Sequence, residues 1–385
     1  MTIDLIWNKF PLKQVELKLS KVLRCGQTFR WKNVNNVWSY TTKNKIILLK
    51  QDEEYIHYSW IASEDIRTQL KLNCHFDKET FEFIKDYFNL PIKLETLYEE
   101  WIEKDGLFKI SSKKSAFDQF TGIRILRQDP WETLISFICS SNNNVKRISK
   151  MCDSICTEFG KYINEYNGIK YYSFPTAEDL SSNPKVESRL RDLGFGYRAK
   201  YIYQTALKFT SDEFPDITLD NLYQLRTKDY ETAHQFLLQL TGVGPKVADC
   251  ICLMALDKHD IVPVDTHVYQ IAIRDYKFKG KKDLKTMNKK TYHDIRLFFK
   301  EIFGDFAGWA QSVLFTSDLS DLNNGVNKSE ETEIKIEQKS EEPEIKIEQK
   351  PDSIVIQRKR GIILESPLHQ ENSEIVESTK KRSTK

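Results

Sequence analysis

The sequence predicts an α+β protein, mostly α. An N-terminal antiparallel β-sheet domain comes first, then a helical domain centred on a helix, a hairpin and a second helix, then a disordered C-terminal tail. Three observations lead there. Near the N-terminus, short segments rich in β-branched and aromatic residues alternate with turn-like pieces. From about residue 116, apolar residues recur at helical spacing. From about residue 322 the aromatics vanish, and Glu, Lys, Gln and Ser dominate. The expected boundaries are therefore 1–115, 116–321 and 322–385.

The β part rests on Val37–Tyr40, Lys45–Lys50 and Tyr55–Trp60. Asn35-Asn36, Lys43-Asn44 and Gln51–Glu53 separate them as turns, which describes a meander, with helices following through Trp101. The helical part starts firmly at Asp129-Pro130-Trp131-Glu132, where Asp is an N-cap, Pro suits the first turn and Glu holds the capping-box position. Further helices are expected near 146–159, 185–193, 198–209, 230–240, 246–256, 266–274, 290–302 and 308–316. The tail cannot bury enough apolar surface to fold alone. It repeats Glu333–Lys339 as Glu344–Lys350, and its clusters Arg358-Lys359-Arg360 and Lys380-Lys381-Arg382 have the character of nuclear import signals. The expected compartment is the nucleus, with the mitochondrion as an alternative.

Composition narrows the function. Fifty-eight Lys+Arg against 56 Asp+Glu give a net charge of +2, divided as +4 before residue 321 and −2 from there on. That mild basicity permits nucleic-acid binding without demonstrating it. No apolar run is long enough to span a bilayer, and the N-terminus lacks a signal-peptide pattern, so no membrane partner is expected. Seven scattered cysteines form no zinc or iron–sulfur spacing. Reduced thiols, no metal and no cofactor are the simplest account.

The chemistry centres on Leu240-Thr241-Gly242-Val243-Gly244-Pro245-Lys246-Val247-Ala248-Asp249-Cys250. A leucine-rich helix runs into a Gly-x-Gly turn, and Pro245 opens a second helix where its missing N–H costs nothing. Gly242, Val243 and Gly244 expose N–H groups that suit a DNA phosphate. An ordinary helix–helix turn would use the same glycines. The second helix is apolar on nearly every face except Asp249, so it must be buried. Lys246 in its first turn feels the positive end of the helix dipole and partial desolvation. Both are expected to lower its pKa below roughly 10.4 and supply a neutral nucleophilic amine. A lysine reaching out to solvent is the alternative. Ile261–His267 follows, with Asp265 placed to N-cap the next helix. The same carboxylate could stabilise positive charge developing on a sugar.

These segments make the sequence similar to the helix-hairpin-helix DNA glycosylase superfamily. Within it the chain resembles the eukaryotic 8-oxoguanine DNA glycosylase/lyases over most of residues 10–320. The blocks that carry the resemblance are Ser20–Trp31, Asp129–Asn144, Leu193–Lys200, Leu240–His267 and Gly308–Phe315. The resemblance implies a base-excision repair enzyme acting as a monomer on double-stranded DNA that contains an oxidised purine. Lys246 would attack the sugar, form a Schiff base and nick the strand by β-elimination, and Asp265 would stabilise the sugar cation. The Gly26 carbonyl would accept from the N–H that distinguishes 8-oxoguanine from guanine, Gln311 would bond its Watson–Crick edge, and Phe315 and Cys250 would sandwich the ring. Pro263 and His267 would line the pocket, with His267 also near phosphate. Asn142 would fill the hole left by the flipped base, Arg147 and Arg198 would read the orphaned cytosine, and Tyr197 would wedge the stack. Taken singly these residues have plainer readings: Gln311 and Phe315 as an i, i+4 packing pair, Cys250 as a small core residue, Asn142–Asn144 as a helix terminus. Thr241, Pro245 and Thr266 depart from the family pattern. Two other readings stay open: a different lesion, such as a formamidopyrimidine or alkylated purine, and a scaffold that uses the hairpin only to hold DNA.

Overall fold

The computed structural model describes residues 5–64, 78–280 and 287–319. The expected tail, with its repeat and basic clusters, lies outside the described residues, as does Cys74.

Five strands form an antiparallel sheet in the order β1-β5-β4-β3-β2. They are β1 (Asn8–Pro11), β2 (Lys32–Val34), β3 (Val37–Thr41), β4 (Lys45–Gln51) and β5 (Tyr55–Ala62). The meander expected from the sequence is its centre, with Trp38 opposite Leu49 and Leu49 opposite Tyr58. Asn35 and Asn36 both take positive φ, 52° and 60°. That is the geometry of a two-residue hairpin turn, and it pairs β2 with β3. The sequence reading had the turn without the strand before it. It also lacked β1, which pairs with β5 at the edge, and a second hairpin, β6 (Tyr162–Tyr166) and β7 (Ile169–Tyr172). This hairpin explains the unbroken apolar run of β4. Ile47 and Leu49 face Trp31, Tyr87 and Phe88, while Ile46 and Leu48 on the other face meet Ile163 and Tyr171. A strand buried on both faces needs no alternation.

The protein is mostly helical, as expected, and the long helices start and stop within two residues of the predicted limits. Val145–Phe159, Lys185–Asp192, Arg198–Thr210, Tyr230–Leu238, Pro245–Ala255, Thr266–Tyr276, Lys289–Phe303 and Ala307–Asp318 are the observed spans. Asp129 caps Pro130–Ser140 by accepting from the Glu132 N–H at 2.8 Å. The Glu132 carboxylate does not close a capping box. It turns into the interior, where Arg30 lies at 2.5 Å and the Tyr40 hydroxyl at 2.9 Å. Burial raises its pKa against the pull of Arg30. A buried guanidinium is a stronger partner than the exposed cap N–H.

The helices build two large cores. One joins Pro130–Ser140, Val145–Phe159, Arg198–Thr210 and Pro245–Ala255, through residues such as Phe137, Ile202, Val247 and Ile251. The other joins Leu94–Phe108, Thr266–Tyr276, Lys289–Phe303 and Ala307–Asp318 around Trp101, Phe117, Phe303 and Trp309. Trp101 and Phe303 each stand 5.6 Å from Phe117. Leu253, one helical face away from Val247, belongs to the second core. The helix Pro245–Ala255 is thus the wall between the two cores, and its N-terminus opens where they part.

Candidate active site

The hairpin follows from its glycines. Gly242 has φ +85°, and a Cβ there would come within 2.7 Å of the Tyr201 ring, so no other residue fits without strain. Val243 is buried against the first core. Gly244 is the N-cap and Pro245 the first helical residue. These three hairpin residues lie outside the lining of the cleft described next.

A cleft of about 1380 Å³ opens at the head of this helix. It brings together Gly26, Asn142, Lys246, Asp265, His267 and Phe315, which come from five distant stretches of chain. Cys250 and Gln311 are buried at 2% and 7% exposure and do not line it. Pro263 is likewise buried and away from the lining.

Lys246 is partly buried, its ammonium 5.6 Å from the centre of the Phe137 ring, with Cys250 one turn further along the same helix. The direction of its pKa corrects the sequence reading. Burial does oppose the charge and is the largest single influence, but Cys250 and Asp265 together outweigh it, and the net shift is upward. The amine of the free protein is therefore held charged. The Cys250 thiol is pushed up by burial despite the neighbouring ammonium.

Asp265 is the N-cap of Thr266–Tyr276. Its Oδ1 accepts from the His267 and Val268 N–H groups, both at 2.9 Å. The cap leaves Oδ2 free of backbone N–H groups, with His267 Nδ1 at 3.8 Å. The His267 ring meets the Phe315 ring edge-on at 5.9 Å. Gly308 seats the helix carrying Phe315 and Gln311. A Cβ there would strike the Ile261 carbonyl at 2.3 Å, so only glycine lets this helix approach the segment leading to Asp265 so closely. The Gln311 amide has no hydrogen-bond partner among the described residues.

Gly26 sits at φ +85° on a loop fixed by its neighbour. The Gln27 amide, 1% exposed, donates to the Arg124 carbonyl at 2.9 Å and accepts from the Leu126 N–H at 3.0 Å. A Cβ at Gly26 would already touch Val145 at 3.5 Å.

Elsewhere in the cleft lining, Asn142 is exposed with φ 48°. Arg198 is buried at 3%, and it donates to the Ser141 carbonyl through Nε at 3.2 Å and to the Asn142 carbonyl at 3.0 Å. Tyr197 is 46% exposed, its hydroxyl on the same Ser141 carbonyl at 3.1 Å. Arg147 is exposed and reaches the Gly194 carbonyl at 3.2 Å. In the free protein Arg198 thus holds the loop that presents Asn142.

Sequence reasoning passed over two lining residues, Tyr292 and Arg296. The signal was Asp249: a lone carboxylate on an apolar helix requires a buried partner. Its hydroxyl partners are Tyr230 and Tyr292, each at 2.7 Å.

Residues 9–134 match the family described as 8-oxoguanine DNA glycosylase, N-terminal domain, and residues 135–293 match the HhH-GPD superfamily of base excision DNA repair proteins. The chain is 42% identical to an N-glycosylase/DNA lyase of Saccharomyces cerevisiae, across 81% of this chain and 86% of that protein. It belongs to the 8-oxoguanine DNA glycosylase family. An Arabidopsis thaliana N-glycosylase/DNA lyase is 35% identical over 81% of this chain and 80% of its own. Among solved structures, the Clostridium acetobutylicum 8-oxoguanine glycosylase/lyase, in complex with double-stranded DNA containing cytosine opposite 8-oxoguanine, superposes with a TM-score of 0.64 at 29% identity. That match covers 84% of this chain and 99% of that one. This family member is a base-excision repair enzyme, a DNA glycosylase with lyase activity. The scaffold alternative is thereby set aside.

Proposed function

We propose that this glycosylase/lyase excises 8-oxoguanine paired with cytosine, using Lys246 as nucleophile. The observation that carries the reading is the pairing of Lys246 and Asp265 at one cleft, each delivered by a helix N-terminus from a different core. The Lys246 nitrogen, once it has lost its proton, attacks the anomeric carbon. The glycosidic bond breaks, and its electron pair leaves with the base, which takes up a proton. Positive charge growing on the sugar is stabilised by the Asp265 carboxylate. The new C–N bond becomes an iminium as the sugar ring opens. Loss of the C2′ proton then expels the 3′ phosphate, and the strand is nicked.

The rest of the cleft divides the recognition. The Gly26 carbonyl accepts from the lesion's extra ring N–H, where guanine offers only an acceptor. The unpartnered Gln311 amide bonds the base edge. Phe315 and Cys250 flank the ring, Pro263 backs the pocket, and His267 contacts phosphate. Asn142 enters the vacated stack, Tyr197 wedges it, and Arg147 and Arg198 meet the orphaned cytosine. For Arg198 this requires release of the Ser141 and Asn142 carbonyls, so reading the cytosine is coupled to movement of that loop. Backbone N–H groups of Gly242 and Gly244 hold phosphate, whereas the Val243 N–H, expected from the sequence to do the same, is donated to the Leu240 carbonyl at 3.2 Å. The enzyme works as a monomer on duplex DNA without a cofactor, and the basic clusters at 358–360 and 380–382 direct it to the nucleus, with the mitochondrion as the alternative address.

Lys246→Gln is the deciding experiment. Borohydride trapping and base release should vanish while lesion-duplex affinity persists. Turnover equal to the unsubstituted protein would refute the nucleophile.

A further inference from the structure

Lys246 opens one helix and Asp265 caps another, so something must fix their spacing across the cleft. The helix Pro245–Ala255 contains one fully buried carboxylate, Asp249, three residues past Lys246 and at 0% exposure. Its Oδ1 accepts from the Tyr230 hydroxyl and its Oδ2 from the Tyr292 hydroxyl, each at 2.7 Å. Arg296 Nη1 stands 3.7 Å away and His234 Nε2 3.6 Å away. Burial raises the Asp249 pKa, while the Arg296 charge and the two hydroxyls oppose it. Tyr292 is itself pushed well upward by burial and the neighbouring carboxylate, so its hydroxyl stays protonated and donates.

The same Tyr292 oxygen also accepts from the Val264 N–H at 3.4 Å. Val264 is bonded in sequence to Asp265, and both line the cleft with Tyr292. One hydroxyl therefore joins the element carrying the lysine to the element carrying the aspartate, from a third helix, Lys289–Phe303.

Resting on the assignment of Lys246 and Asp265, we propose that Tyr292 is a positioning residue. Its hydroxyl, held between Asp249 and Val264, sets the separation of the reactive pair. The ring fills the cleft wall, but the oxygen fixes distance. Small displacements of reacting groups change rates steeply, by about a hundredfold for an ångström.

The test is Tyr292→Phe in the full-length protein, with borohydride trapping and single-turnover base release measured on an 8-oxoguanine·cytosine duplex at saturating enzyme. The expected result is a rate lower by about tenfold to a hundredfold. Adduct should still form to completion, duplex affinity should stay within about twofold, and Asp249→Asn should add little to the defect because both changes cut one connection. An unchanged rate overturns the proposal. So does weaker binding at an unchanged saturated rate, which makes Tyr292 a DNA contact, or a lower adduct endpoint at full rate, which makes it a stability residue. Additivity with Asp249→Asn overturns the route through Asp249. Absence of adduct with the unsubstituted protein would instead sink the Lys246 assignment, so the two failures are distinguishable.

Discussion

The two rims of the cleft are built on opposite plans. On the lysine side, Lys246 and Cys250 lie on a helix embedded in a core, the amine within reach of a thiol, a carboxylate and an aromatic ring. On the asparagine side, Asn142 is exposed at positive φ on a short loop, held from behind by a buried guanidinium on two backbone carbonyls. Under the proposed roles, chemistry is placed where groups are crowded and fixed, and duplex opening where groups are exposed and tethered. The lesson is that charge control and mobility are assigned to separate elements, so either should fail without the other.

The sharpest way to break that division is Asp265→Asn. Asparagine caps helices as well as aspartate, so melting temperature should hold while base release falls by about a hundredfold to a thousandfold. Loss of the charge should also shift the rate–pH profile acidward, since Asp265 helps keep Lys246 protonated. Equal losses of stability and rate would mean the cap was its main contribution. On the other rim, Arg198→Ala frees the Ser141 and Asn142 carbonyls. Denaturant unfolding should show a loss of about 2–3 kcal/mol, and lesion affinity should drop, while adduct formation at saturating DNA stays close to normal. A chemical defect there would mean the rims are coupled. Gly242→Ala sets a β-carbon against Tyr201 at positive φ and should destabilise by about 1–3 kcal/mol; an unchanged melting curve would show that the hairpin yields. Cys250→Ala gives the smallest effect. Cys250 is one of the two groups that favour the charged Lys246 amine, and a raised amine pKa makes base release climb with pH through the neutral and alkaline range. Removing the thiol should move that limb to lower pH, and a limb that stays put or moves upward contradicts the assignment.

Much of this was legible in the amino-acid order. The Asp129 cap, the Gly-x-Gly turn and the long helices are local features, and local chemistry determined them. The hairpin Tyr162–Tyr172 was not legible, because it exists to cover a sheet face more than a hundred residues upstream. Glu132 had a local partner available and took a distant one. The Lys246 shift had the same cause: a helix-terminal lysine reads as depressed until the Asp265 segment folds back beside it. Gly26, Asn142, Lys246, Asp265, His267 and Phe315 share one cleft, but the layer behind them did not announce itself. Only the isolation of Asp249 among apolar neighbours hinted at Tyr230, Tyr292 and Arg296.

The thiols carry a consequence for durability. Every cysteine among the described residues is buried, and those at 25, 152, 156, 250 and 252 are all shifted toward the neutral form. Peroxide attacks thiolates, and Cys250, despite an ammonium at its side, offers little of one. An enzyme recruited when guanine is being oxidised keeps its described thiols out of the same chemistry, so under oxidative stress its methionines, Met287 in the cleft lining among them, should be oxidised before its buried cysteines.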